Sequence, residues 1–219
     1  MNLQQRLTDF ANLGATWVMW LLVLLSVVSL AIVLERTYYF FATRDDVASL
    51  KRDLLDLLGK GELVKARDRL TRSRSFEARI AFAGLEAVDD GADAAEERIA
   101  RETSLAKLQM ERNLAFLGTV GNNAPFLGLL GTVIGIIRAF RALNGNTGHV
   151  SPDLMKEIGE ALVATAIGIM VALPAVAFFN TFQRGIKARL SRGEALGHDV
   201  LSFLKGERRA AARDAEASE

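Results

Sequence analysis

Three stretches of this chain, 10–34, 113–137 and 161–183, contain no charged residue. Each holds enough apolar residues to cross a bilayer, which takes about 20 residues as a helix. The first is Leu/Val-rich and reads as lipid-facing. The second and third are full of Gly, Ala and Thr at helical spacing, the composition of helices that pack closely on each other. The chain is 50% hydrophobic yet 24% charged, so these spans come with a hydrated helical portion instead of one soluble core. The fold class expected is all-α, an integral membrane protein with three transmembrane helices.

The polar residues narrow the function classes. A net charge of +1 makes no case for nucleic acid. There is no cysteine, hence no disulfide, thiolate metal site or thiol catalysis. The two histidines, His149 and His198, lie in separate polar segments and make poor material for a metal centre. No span contains His, Asp or Cys, and the few serines of the spans sit in the first, so an intramembrane enzyme is disfavoured. No cofactor is implied.

The first span reads as a retained anchor. Only Arg6 precedes it, and Glu35-Arg36 follows without a small-x-small cleavage site. Orientation comes from Lys and Arg near the span ends. Ten lie on one side (Arg36, Arg44, Arg98, Arg101, Lys107, Arg112, Arg184, Lys187, Arg189, Arg192) and four on the other (Arg6, Arg138, Arg141, Lys156). The expected layout is an external arm over 1–15, spans at 16–34, 116–140 and 158–183, a cytoplasmic helical region at 35–115, an external connection at 141–157 and a cytoplasmic tail at 184–219. Within the insert, apolar periodicity predicts helices over 45–58, 62–70 and 76–88, with Gly59 and Asp89-Asp90-Gly91 as breaks. The run 92–112 contains no Pro or Gly and is expected to continue unbroken into the second span. It would project from the membrane and, with 184–192, help enclose a hydrated vestibule.

Gly121, Pro125, Gly128, Thr132, Gly135 and Ala139 follow one another at spacings of 4, 3, 4, 3 and 4, one stripe of a helix. Ala161, Thr165, Gly168, Ala172 and Ala175, at 4, 3, 4 and 3, repeat the device. The Gly and Ala positions read first as helix packing, and Pro125 as a kink or a loosened turn. Thr132 lies six residues before Arg138 and Thr165 five after Glu160. Both hydroxyls therefore sit roughly 8–9 Å in from those charges. Two readings stay open: a polar ring in an oligomer, or hydroxyls bonded to their own i−4 carbonyls. Glu160, the carboxylate bordering the third span, is either part of an ion path or an interfacial acid near a helix start capped by Ser151 and Pro152.

The stretch Ala124-Pro125-Phe126-Leu127-Gly128-Leu129-Leu130-Gly131-Thr132-Val133-Ile134-Gly135-Ile136 resembles the signature of the MotA/TolQ/ExbB proton-channel family. So does Glu160-Ala161-Leu162-Val163-Ala164-Thr165-Ala166-Ile167-Gly168, followed by Leu173-Pro174-Ala175-Val176. With no fourth span, the chain resembles the TolQ and ExbB branch more than flagellar MotA, and its short arm before Trp17 is nearer the TolQ type than the longer-armed ExbB type. The resemblance implies a subunit of a proton-driven motor in the inner membrane of a Gram-negative bacterium. It implies a homopentamer around two copies of a single-span ExbD/TolR-like partner whose Asp takes and releases the proton. By motif position it implies that Thr132, Thr165 and Glu160 line the path facing that Asp. The stripe of Gly121, Pro125, Gly128, Gly135, Gly168 and Ala172 would then face the pore as a smooth wall. One part of this follows from the residues alone: with no carboxylate inside a span, a proton carrier must come from another polypeptide, or the protein conducts nothing. The competing class is a passive membrane scaffold whose small stripes only hold helices together.

Overall fold

The computed structural model describes residues 16–145 and 152–216, the side chains of 142, 144, 145, 153 and 207–216 apart. Seven helices are present among the described residues: α1 Thr16–Ala42, α2 Val47–Gly59, α3 Leu63–Arg72, α4 Phe76–Glu86, α5 Ala92–Glu111, α6 Leu114–Gly145 and α7 Pro152–Glu216. Those residues contain no strand. Three of the helices are long and apolar enough to cross a membrane. The arm 1–15 with Arg6, the Ser151 cap and His149 lie outside the described residues.

The chain divides into two compact units. The first takes residues up to Glu35 and Asn113–Thr181, that is, most of α1, all of α6 and the first half of α7. Its buried side chains include Val18, Leu22, Val120, Ala124, Val171, Ala172 and Ala175. The Leu/Val composition of α1 hides an asymmetry. Val18, Leu22, Ser29 and Val33 form one buried stripe, whereas Trp20, Leu24, Val27, Leu30 and Leu34 are exposed. A helix set against one side of a bundle keeps only the residues at i, i+4, i+7 in contact.

The second unit takes Arg36–Arg112 and the chain from Phe182 onward. Its helices start where the sequence supplies caps. The Asp46 side chain accepts from Ala48 N and Ser49 N at the head of α2, and Ser75 Oγ accepts from Ala78 N at the head of α4. Gly61, at φ 70°, follows the end of α2, and Gly91, at φ 101°, precedes α5, a conformation that costs a residue with a Cβ. Leu50, Leu54, Leu58, Leu70, Leu85, Leu196, Val200 and Leu204 share one core, and full burial of each such side chain contributes about 1.5–3 kcal/mol.

One expectation is corrected here. The helix over 92–112 does not run unbroken into the second span. α5 ends at Glu111 and α6 begins at Leu114. Between them Arg112 is extended, at ψ 133°, and Asn113 is left-handed, at φ 64°. Asn tolerates that region because its short amide bonds the local backbone, so a break arises without Gly or Pro.

Candidate functional site

The two small-residue stripes meet each other. α6 and α7 lie side by side within one chain, close enough that a Cβ on Gly128 would come 2.9 Å from Ala164 O and from Thr165 Cα. One on Gly168 would come 2.7 Å from Ala124 O and 3.0 Å from Gly128 Cα. Gly135 sits over Ala161 and Glu157 O, and Gly121 over Val176. Backbone thus touches backbone along the stripe, the contact that small residues allow. Gly121, Gly128, Gly135, Gly168, Ala172 and Ala175 are all buried; Pro125, Thr132 and Thr165 are half-buried along its margin. The helix continues across Pro125 in α6 and Pro174 in α7.

The two threonines are held differently. Thr165 Oγ1 donates across the helix pair to Gly128 O at 3.0 Å. Thr132 Oγ1 donates within its own helix to Leu129 O at 2.6 Å, an i−3 carbonyl. The acceptors are consecutive carbonyls of α6, so they differ by about 1.5 Å along the axis and by about 100° around it. Both hydroxyls therefore sit at similar depth, one inside the helix contact and the other at its edge. A hydroxyl that already donates keeps acceptor lone pairs for an incoming proton donor.

Glu160 is half-buried. The ion pair at this end of α7 belongs to its neighbour: Arg138 Nη2 lies 2.9 Å from Glu157 Oε1. The reading of Glu160 as the bordering carboxylate overlooked Glu157. The helix register shows why the pair forms, because Gly135 rests on Ala161 and on the Glu157 carbonyl, and Arg138 is one turn further along α6. Also overlooked were Asn122 and Asn123, exposed amides on α6; Asn123 Nδ2 donates to Thr119 O at 2.8 Å. Beside the stripe, Gly121, Pro125, Ile169, Ala172, Leu173, Val176 and Ala177 line an open apolar recess of about 310 Å³. Within 114–137 of α6 and 161–183 of α7 there is no titratable carboxylate. Hydroxyls and amides can hydrogen-bond a protonated or ionised acid, but they keep one charge state at physiological pH.

Residues 72–195 match the MotA/TolQ/ExbB proton channel family. The chain is 30% identical over 198 residues to the biopolymer transport protein ExbB of Neisseria meningitidis, covering 82% of this chain and 87% of that protein. It is 41% identical over 97 residues to ExbB of Xanthomonas campestris, covering 44% of this chain and only 38% of that relative's length. Over 116 residues it is 42% identical to the Tol-Pal system protein TolQ of Pseudomonas aeruginosa, half of each chain. The matched region contains α6 and the part of α7 that carries its small-residue stripe, with Thr132 and Thr165, and the chain belongs to the MotA/TolQ/ExbB proton channel family.

Proposed function

We propose that this chain is a stator-type subunit of a proton channel that couples the proton motive force to mechanical work on an envelope partner. The observation that carries this reading is the pairing of α6 and α7. It sets two threonine hydroxyls at similar depth on a carboxylate-free wall beside an apolar recess. On this reading five copies surround two single-span ExbD/TolR-like helices in the bacterial inner membrane, with the N-terminus periplasmic and the C-terminus cytoplasmic. The proton rides on the partner's Asp. Thr132, Thr165 and Glu160 face it; the small stripe, buried between α6 and α7, holds the two helices together, and Pro125 with the half-buried margin beside it forms the wall on which the partner helix turns. One proton crossing 100 mV releases about 2.3 kcal/mol, so rotation and proton passage must be tightly coupled. The names of the relatives supply two candidate tasks, biopolymer transport and Tol-Pal function.

The experiment replaces both hydroxyls. Thr132→Ala with Thr165→Ala is expected to leave the assembly intact by native mass spectrometry and to abolish proton-coupled work in cells. Thr→Ser at both sites should retain partial activity, since it keeps the donor and loses one methyl. A second reading, a passive scaffold, is favoured by the fact that both hydroxyls already bond carbonyls of their own chain. Full activity of the double alanine variant would establish that reading instead.

A further inference from the structure

The second unit contains a polar cavity of about 180 Å³ that the channel reading does not use. Arg44, Glu77, Gly185, Ala188, Arg189 and Arg192 line it. Gly185, Ala188, Arg189 and Arg192 lie on one face of α7, at spacings of 3, 1 and 3, so two small residues form the floor between two guanidinium groups. Arg189 is fixed, with 8% of its surface exposed. It donates to Thr43 Oγ1 at 2.8 Å and to Phe40 O at 3.0 Å, and it lies over the Phe40 ring. Arg44 and Arg192 are exposed and have no ion-pair partner among the described residues. Asp45, also on the wall, has both oxygens engaged, by Asp46 N and by Ser73 Oγ. Three arginines thus face two carboxylates, Asp45 and Glu77, which leaves one positive charge unbalanced.

Glu77 adds the opposite requirement. It is 2% exposed, and its Oε2 accepts no hydrogen bond. Its place in the first turn of α4 lets the helix dipole offset the charge, but this supplies no donor to that oxygen. An unpartnered buried carboxylate oxygen is costly, and the terminal torsion of a Glu side chain is soft enough to turn it toward a donor in the cavity. The cavity thus asks for negative charge at Arg44 and Arg192 and for one acidic proton at Glu77.

We propose that this cavity binds an oxyanion that still carries a proton, of the hydrogen-phosphate class. Its anionic oxygens take the Arg44 and Arg192 guanidinium groups, and its P–OH donates to Glu77 Oε2. A fully deprotonated anion such as sulfate meets the same arginines but points a bare oxygen at a carboxylate. The ligand is a free phosphate or the monoester headgroup of a lipid such as phosphatidic acid.

The test uses the full-length chain, purified in detergent and titrated with inorganic phosphate or with sulfate at equal ionic strength and neutral pH. Binding is read by phosphorus NMR line-broadening and by the shift in thermal midpoint. Phosphate is expected to raise the midpoint and sulfate not to. Arg44→Ala and Arg192→Ala, both at exposed positions that leave the core untouched, should each weaken phosphate binding about tenfold or more, the usual loss for a charge-assisted hydrogen bond. Glu77→Gln should erase the preference, since an amide donates to sulfate as well as it accepts from phosphate. In nanodiscs, phosphatidic acid that competes with phosphate marks the lipid as the source, and no competition marks the free ion. Equal responses to phosphate, sulfate and chloride in the unaltered chain would overturn the proposal. So would full phosphate binding by both arginine variants, or competition by the phosphodiester phosphatidylglycerol equal to that of phosphatidic acid.

Discussion

A methyl group added to Gly168 meets backbone: the Ala124 carbonyl oxygen at 2.7 Å and the Gly128 Cα at 3.0 Å. Neither can move without parting α6 from α7. Gly168→Ala is therefore expected to destabilise the protein by about 1–3 kcal/mol, the usual cost of overpacking, read as a lower thermal midpoint in detergent. Gly159, on the same helix, has nothing within 4 Å of the added Cβ. Gly159→Ala should raise stability by about 0.5–1 kcal/mol through helix propensity. If both variants behave alike, the close approach is not what the glycine provides. The 4-3-4-3 spacing made the stripe legible in the sequence. It could not say that the two stripes face each other, nor that Thr165 reaches a carbonyl on the other helix while Thr132 bonds its own. Those facts depend on the register of two antiparallel helices, to which periodicity is blind. The same blindness explains why the pairing of Glu157 with Arg138 left no mark in the sequence pattern.

Between helices, the sequence signals were uneven. The breaks at Gly59 and Gly91 were legible because glycine marks them. The break at Asn113 was not, because asparagine in a long periodic run has only a mild helix penalty and its left-handed φ of 64° leaves no trace in the pattern. Asn113→Val should cost about 1–2 kcal/mol, the penalty of a Cβ-bearing residue in that region, whereas Asn113→Gly should be tolerated; thermal unfolding of the two variants checks the difference. The end of α1 provides a second test. Its last carbonyls need partners, and Arg189 supplies one by bonding Phe40 O while also holding Thr43 Oγ1. Burial lowers the Arg189 pKa from its ordinary value, an effect that the nearby Glu77 opposes. The lowered pKa means that burial disfavours the charged form, a cost that its hydrogen bonds, the Phe40 ring and the nearby Glu77 offset. Arg189→Ala should destabilise by about 2–3 kcal/mol, with faster hydrogen exchange over 40–44. Arg189→Lys should rescue little, since a single ammonium lacks the planar fork that spans both acceptors.

For the molecule as a whole, the partition into two units follows from composition. The first unit is built on the three uncharged stretches, with its charged residues confined to their flanks, and the second alternates apolar and charged positions around a leucine core. Yet the first unit leaves much apolar surface exposed. Phe126, Leu129, Val133, Ile136 and Phe140 lie exposed on α6, Leu162, Ile169 and Leu173 on α7, and Leu24, Val27 and Leu30 on α1. A single water-soluble domain rarely exposes a continuous patch of that extent, so lipid or protein must cover it. Which of the two covers each helix decides the architecture. The faces of α6 and α7 lie beside the stripe that admits close approach, whereas the exposed face of α1 has bulky Leu and Val without small residues, a surface better matched to acyl chains than to a second backbone. Single cysteines at Val133 or Leu162 are therefore expected to cross-link between copies of the chain or to a partner helix in native membranes. Cysteines at Leu24 or Val27 should instead stay monomeric and react with lipid-soluble maleimide. Strong cross-links at Leu24 or Val27 and none at Val133 or Leu162 would put α1 inside the assembly and the glycine-bearing pair against lipid. No partner's proton-carrying Asp would then reach the two threonines, and the channel reading would lose its wall.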